Sequence, residues 1–77
     1  MILIYKMDGC PYCNKVISYL KSTNLNYKLL DISDKQNHKE LLAFGGKDQV
    51  PFLIDTSNNK KMYESDDIIE YLRQSWK

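Results

Sequence analysis

The hydrophobic pattern of the chain changes period several times, and each change marks an element. Ile2-Leu3-Ile4-Tyr5 is a continuous β-prone run, too unbroken for a half-exposed strand. It predicts a central strand covered on both faces. Lys6 to Gly9 reads as a loop. From Cys10 the period becomes helical: Pro11 suits the first helical position, and Cys13, Val16, Ile17 and Leu20 form one apolar stripe. Thr23-Asn24 should close this helix, with Asn24 as a left-handed cap. Tyr27 to Ile32 is a second strand. The crossover length between the two strands predicts that they run parallel. Ser33 with Gln36 forms a capping box for a second helix. Its apolar face would be Leu41, Leu42 and Phe44, and Gly45-Gly46 would stop it. Phe52 to Ile54 and Lys61 to Tyr63 flank the turn-rich Asp55 to Asn59 and read as a hairpin. Ser65 should cap a last helix, with Asp66 and Asp67 in its first turn and Ile68, Ile69, Leu72 and Trp76 on its buried side. The predicted order is βαβαββα, in an α/β fold without repeats or linkers.

Composition narrows the function. The chain has 77 residues and a formal net charge of +1, so it is expected to form a single domain over residues 1–77. That charge balance argues against nucleic acid or an anionic membrane as partner. At 43% hydrophobic and 27% charged, the chain is expected to fold rather than stay disordered. The apolar run at the start meets Lys6 at once, which fits neither a signal peptide nor a membrane span. A cytoplasmic location and a monomeric state are the expectations.

The two cysteines, Cys10 and Cys13, cannot staple so small a fold. A bridge between them would close too short a loop to remove much chain entropy. With His38 far along the chain they do not complete a four-ligand zinc site either, so no metal is expected. The pair is free for chemistry. A C-x-x-C that follows a strand and opens a helix is the redox placement. The first helical turn has unpaired N–H groups and a partial positive charge, which favour a thiolate at Cys10. Cys13, one turn further in, should hold its proton more tightly. A sulfur stabilised as thiolate also leaves a mixed disulfide faster, so the site suits rapid exchange. Cys10, beside Gly9 and Pro11, is expected outside the core, and Lys15 is close enough to favour its thiolate. Tyr63 and Tyr71 read as packing residues, Trp76 as a clamp on the core, and His38 as exposed.

Cys10-Pro11-Tyr12-Cys13 resembles the active site of the glutaredoxins, and the element order resembles the thioredoxin fold. That fold implies a four-stranded mixed sheet flanked by three helices. Val50-Pro51 before a strand looks like the cis-proline loop that faces the cysteines in such proteins. Glu64-Ser65-Asp66-Asp67 is similar to the glutathione-binding turn. The resemblance implies a glutathione-dependent thiol–disulfide oxidoreductase, an enzyme acting on glutathionylated or disulfide-containing proteins with glutathione as reducing co-substrate. Cys10 would be the nucleophile and Cys13 the resolving thiol. Tyr12 would border the glutathione groove, and the backbone of Val50, set by Pro51, would pair with the tripeptide as an added strand does. Glu64, Ser65 and Asp66 would hold its γ-glutamyl end.

The chain departs from ordinary glutaredoxins in three places. Gln49-Val50-Pro51 replaces Thr-Val-Pro, and Tyr63-Glu64 stands where a Gly-Gly precedes the last helix. Both features look more like the N-terminal domain of glutathione transferases and of transferase-like glutaredoxins. A Lys expected three residues before the first cysteine is Met7, with Lys6 one earlier. Alternative roles are an electron donor recharged by a thioredoxin reductase, an iron–sulfur carrier, or a non-catalytic glutathione-binding module.

Overall fold

A computed structural model describes residues 1–76. In chain order the elements are β1 (Ile2–Lys6), α1 (Pro11–Lys21), β2 (Tyr27–Asp31), α2 (Lys35–Gly45), β3 (Phe52–Asp55), β4 (Lys60–Tyr63) and α3 (Ser65–Ser75). The strands form one sheet in the order β2-β1-β3-β4. β1 runs parallel to β2, with Ile4 opposite Leu29, and antiparallel to β3, with Ile4 opposite Leu53. β3 and β4 form the hairpin. This is the α/β, thioredoxin-like arrangement, a mixed sheet with three helices.

Successive side chains of a strand point to opposite faces, and here both faces are covered. Ile2 and Ile4 of β1 and Leu53 of β3 join Val16 and Leu20 of α1 and Ile68 and Leu72 of α3 in one core. Tyr5, Phe52 and Ile54 point the other way and meet Leu41 of α2. A fully buried Leu or Ile contributes roughly 1.5–3 kcal/mol over an exposed one. The continuous apolar run of β1 is therefore the signature of a strand between two helical layers.

Local details differ from the sequence reading. α1 ends at Ser22 in right-handed geometry. The Ser22 hydroxyl donates to the Tyr19 carbonyl at 2.6 Å and the Thr23 hydroxyl to that of Leu20 at 2.7 Å. With its last carbonyls satisfied, the helix has no need of a left-handed Asn24, and Asn24 is not among the residues of positive φ. α2 is capped by Asp34, not by a Ser33–Gln36 box. The Asp34 carboxylate accepts the N–H groups of Gln36 and Asn37 at 2.8 and 3.2 Å, and Asp31 takes that of Ser33.

Of the three residues assigned to the apolar face of α2, only Leu41 is buried, while Leu42 and Phe44 stand 42% and 52% exposed. The helix covers the sheet along one narrow line. β2 ends before Ile32, and Ile17, Ile69 and Trp76 are half-buried. α3 has no side-chain cap: Glu64 occupies the cap position at φ 72°, and Ser65 is its buried first residue.

Asp55, read from sequence as part of the turn, is the buried last residue of β3. Its carboxylate accepts the Tyr71 hydroxyl at 2.7 Å, the Trp76 indole N–H at 2.9 Å, the Asn58 amide at 3.0 Å and the Ser57 N–H at 3.1 Å. Trp76 thus clamps the end of α3 to the end of β3.

Candidate active site

Gly9, at φ +77°, turns the chain from β1 into α1. Such a φ favours a residue without Cβ. The turn sets Cys10 at the N-cap of α1, with Pro11 just inside. The Cys13 N–H donates to the Cys10 sulfur at 3.3 Å, and the Asn14 N–H donates to the Cys10 carbonyl at 3.0 Å. The sulfur of Cys10 therefore occupies the place of a capping oxygen, where helix amides and dipole favour negative charge.

Both cysteines are free thiols. Cys13 is wholly buried. Cys10, contrary to the sequence expectation, is only 8% exposed. Turning its sulfur inward to meet the Cys13 amide covers most of the residue. Burial, together with a hydrogen bond to Cys10, pushes the Cys13 thiol up to about 12, against an opposing pull from the Met7 backbone and the Lys6 ammonium. Lys6 itself is engaged by Asp8 at 2.7 Å and Asp31 at 3.2 Å.

Beside the cysteines lies a groove of about 560 Å³ between α1, the loop before β3 and the start of α3. Tyr12, Val50, Pro51, Glu64, Ser65 and Asp66 all line it, although the chain separates them by up to 54 positions. The Val50–Pro51 peptide is cis. Neither the N–H nor the carbonyl of Val50 has a partner among the described residues. The uncapped N-terminus of α3 opens on the same space. Tyr12 is 65% exposed at the rim, next to the cysteines.

Two lining residues, Gln49 and Asp67, stood in the motifs read from sequence but were given no binding role there. Each adjoins an assigned residue, and position alone would have found them. Gln49 donates to the Glu64 carboxylate at 2.9 Å, joining the loop to α3. Lys15 pairs with Asp66, one of the lining residues. His38 is half-buried rather than free, with its Nε2 2.9 Å from Asp48.

Residues 4–75 match the family described as glutathione S-transferase, N-terminal domain. The chain belongs to this family. It is also similar to glutaredoxins and has the thioredoxin fold. Glutaredoxin 1 of Rickettsia prowazekii is 34% identical over 53 residues, covering 65% of this chain and 56% of that protein. The chain thus spans little more than half the length of the curated relatives it matches.

Among solved structures, a thioredoxin-like protein superposes with a TM-score of 0.82 at 25% identity, over 96% of this chain and 97% of that one. The buckwheat glutaredoxin–glutathione complex gives 0.73 at 18% identity, over 96% and 69%. The latter likeness is one of fold alone. Among the described residues no helix is long and apolar enough to cross a membrane, and no cluster of metal-ligating side chains occurs.

Proposed function

We propose that this single domain is a glutathione-dependent thiol–disulfide oxidoreductase of the glutaredoxin kind. The observation that carries the reading is the Cys10 sulfur at the N-terminus of α1, 3.3 Å from the Cys13 amide nitrogen and next to a groove that ends in a second helix N-terminus. In this reading glutathione lies extended along the groove. Its cysteinyl part takes the free N–H and carbonyl of Val50, as an added strand would. Its γ-glutamyl carboxylate meets the open N–H groups at Ser65, and its ammonium meets Asp66 and Glu64. Tyr12 and Pro51 form the walls. That buckwheat glutaredoxin was solved with glutathione supports the choice of ligand.

The chemistry follows from the two sulfurs. The Cys10 thiolate attacks the glutathionyl sulfur of a protein–glutathione disulfide. The Cys10–glutathione S–S bond forms, the protein–glutathione S–S bond breaks, and the protein thiolate leaves and takes up a proton. A second glutathione thiolate then attacks the glutathione sulfur on Cys10. Oxidised glutathione departs and Cys10 returns as thiolate. With a protein disulfide, Cys10 forms the mixed disulfide with the substrate. Cys13 then gives up its proton and attacks the Cys10 sulfur, leaving Cys10–Cys13 oxidised and the substrate dithiol reduced. In each release step the Cys13 N–H, which donates to the Cys10 sulfur, assists the departure of that sulfur. No step needs a metal.

A glutathione-coupled assay on a glutathionylated peptide tests this. Cys10→Ser should lose turnover entirely, and Cys13→Ser should keep much of it. Activity that survives Cys10→Ser refutes the mechanism. A second reading has one observation in its favour, the near full-length match to a thioredoxin-like protein. It makes the chain an electron donor recharged by a thioredoxin reductase. Reduction by NADPH and thioredoxin reductase in the absence of glutathione would select that reading over the first.

A further inference from the structure

The loop that carries Val50 and Pro51 is tied down at its beginning by one side chain that takes no part in the groove lining. The Tyr63 hydroxyl, at the end of β4, donates to the Lys47 carbonyl at 2.9 Å and accepts the Lys47 N–H at 3.1 Å. One hydroxyl thus satisfies both backbone groups of a single loop residue. The ring is fixed in turn: its centroid is 4.6 Å from that of Phe52, and the ammonium of the same Lys47 lies 5.6 Å from it.

Gly45 makes room for this arrangement. A Cβ there would stand 2.0 Å from the Tyr63 hydroxyl oxygen and 2.8 Å from its Cζ, so only glycine lets the hydroxyl reach Lys47. Gly46, at φ 83°, then ends α2 and turns the chain towards the loop. The next residue of β4's exit, Glu64, accepts from Gln49. Tyr63 and Glu64 therefore hold Lys47 and Gln49, and Val50 is the following residue.

We propose that Tyr63, acting through Lys47, is the positioning residue that sets the Val50 backbone at the height where an extended thiol peptide can pair with it. Gly45 is the complementary vacancy that the latch requires. The proposal rests on the functional reading above for the identity of the ligand, but the latch itself is independent of it. Loss of the latch lets the loop sample other heights and weakens ligand binding. It leaves the Cys13 N–H on the Cys10 sulfur, since among the described residues the Tyr63 hydroxyl bonds to Lys47 alone.

Tyr63→Phe keeps the ring on Phe52 and removes only the hydroxyl. In the full chain, amide exchange at Lys47 should accelerate at least tenfold. The KM for a glutathionylated peptide should rise about fivefold to tenfold while kcat stays within twofold, a split that a merely structural role would not produce. Gly45→Ala should give the same pattern. The double variant should be no more than about twofold worse than Gly45→Ala alone, because the first change already opens the latch. Unaltered Lys47 exchange, an unaltered KM, or effects that multiply in the double variant would each overturn the proposal. If the wild-type chain shows no glutathione-dependent turnover, the functional reading falls, and Lys47 exchange alone upholds or overturns the latch.

Discussion

Replacing Asp55 by Asn should cost this small fold a large part of its stability, although the two side chains have nearly the same shape. The Asp55 carboxylate is fully buried and accepts four donors. Three of them, from Asn58, Tyr71 and Trp76, converge on Oδ2, and the Ser57 N–H takes Oδ1. An amide must place its NH2 at one of the two sites. At Oδ2 it faces three donors, and at Oδ1 it faces the Ser57 N–H, so at least one buried donor loses its acceptor.

A donor orphaned in this way costs about 1–3 kcal/mol. The remaining hydrogen bonds also fall from charge-assisted strength, about 1.5–3 kcal/mol each, to the neutral range of about 0.5–1.5. The two effects, less the cost of burying a charge that the neutral amide avoids, predict a loss of about 3–5 kcal/mol, against a total stability of roughly 5–15 kcal/mol for native domains. Trp76, the sole tryptophan, donates directly to Asp55, so its fluorescence reports the transition in a urea titration. Asp55→Asn should also loosen the far end of α3, whose start lines the groove, and so raise KM even below the unfolding transition. A loss under about 1 kcal/mol would refute this account of the cluster. The acid limb follows the same logic. Burial alone would raise the Asp55 carboxyl, but its hydrogen bonds from Tyr71, Trp76, Asn58 and Ser57 outweigh that and hold it below the ordinary value. Its contribution is therefore present above the unfolded value of ~3.9 and lost as pH falls through the folded one. The wild-type chain should shed this stability in strong acid, and Asp55→Asn should show a flatter profile there.

Two further outcomes follow from the site. Burial pushes the Cys13 thiol up, so its attack on the Cys10 mixed disulfide should quicken as pH rises above neutrality. Stopped-flow reduction of a protein disulfide would reveal this, and a plateau below pH 9 would contradict it. The same raised value means that the folding contribution of the neutral thiol is intact below the unfolded value of ~8.5 and lost as pH rises towards 12. Lys15 pairs with Asp66, a residue of the groove, both side chains being more than half exposed. Lys15→Met should alter stability by less than about 1 kcal/mol and lower the KM of an ammonium-bearing ligand by freeing its carboxylate partner, as steady-state kinetics would register.

Much of the site was legible because its chemistry is local. Pro11 after Cys10, the three-residue spacing to Cys13 and the glycine before them specify a thiol at a helix start. The covered strand was equally plain in Ile2 to Tyr5, since a run without alternation needs apolar neighbours on both faces. Helix ends were read less well. Asn24, Ser33 and Ser65 all have capping chemistry, but a cap is chosen by geometry as well as by residue type. Ser22 and Thr23 had already satisfied α1, Asp34 offered α2 a carboxylate in register with two amides, and Glu64 at positive φ left α3 open. Leu42 and Phe44 were misplaced because helical spacing gives a stripe but not the width of the surface that receives it.

The order of elements, the cysteine pair at a helix start and the acidic start of α3 were thus written in neighbouring residues, whose preferences act over a turn or a strand. The groove was not. It exists because β3 lies antiparallel beside β1, which brings residues 49–51 and 64–67 against the start of α1. The pairings of Lys15 with Asp66, Tyr63 with Lys47 and Asp55 with Trp76 follow from the same packing. Each joins residues at least 16 positions apart. Hydrogen bonds and ion pairs act over a few ångströms, and only the folded chain decides which distant groups come that close.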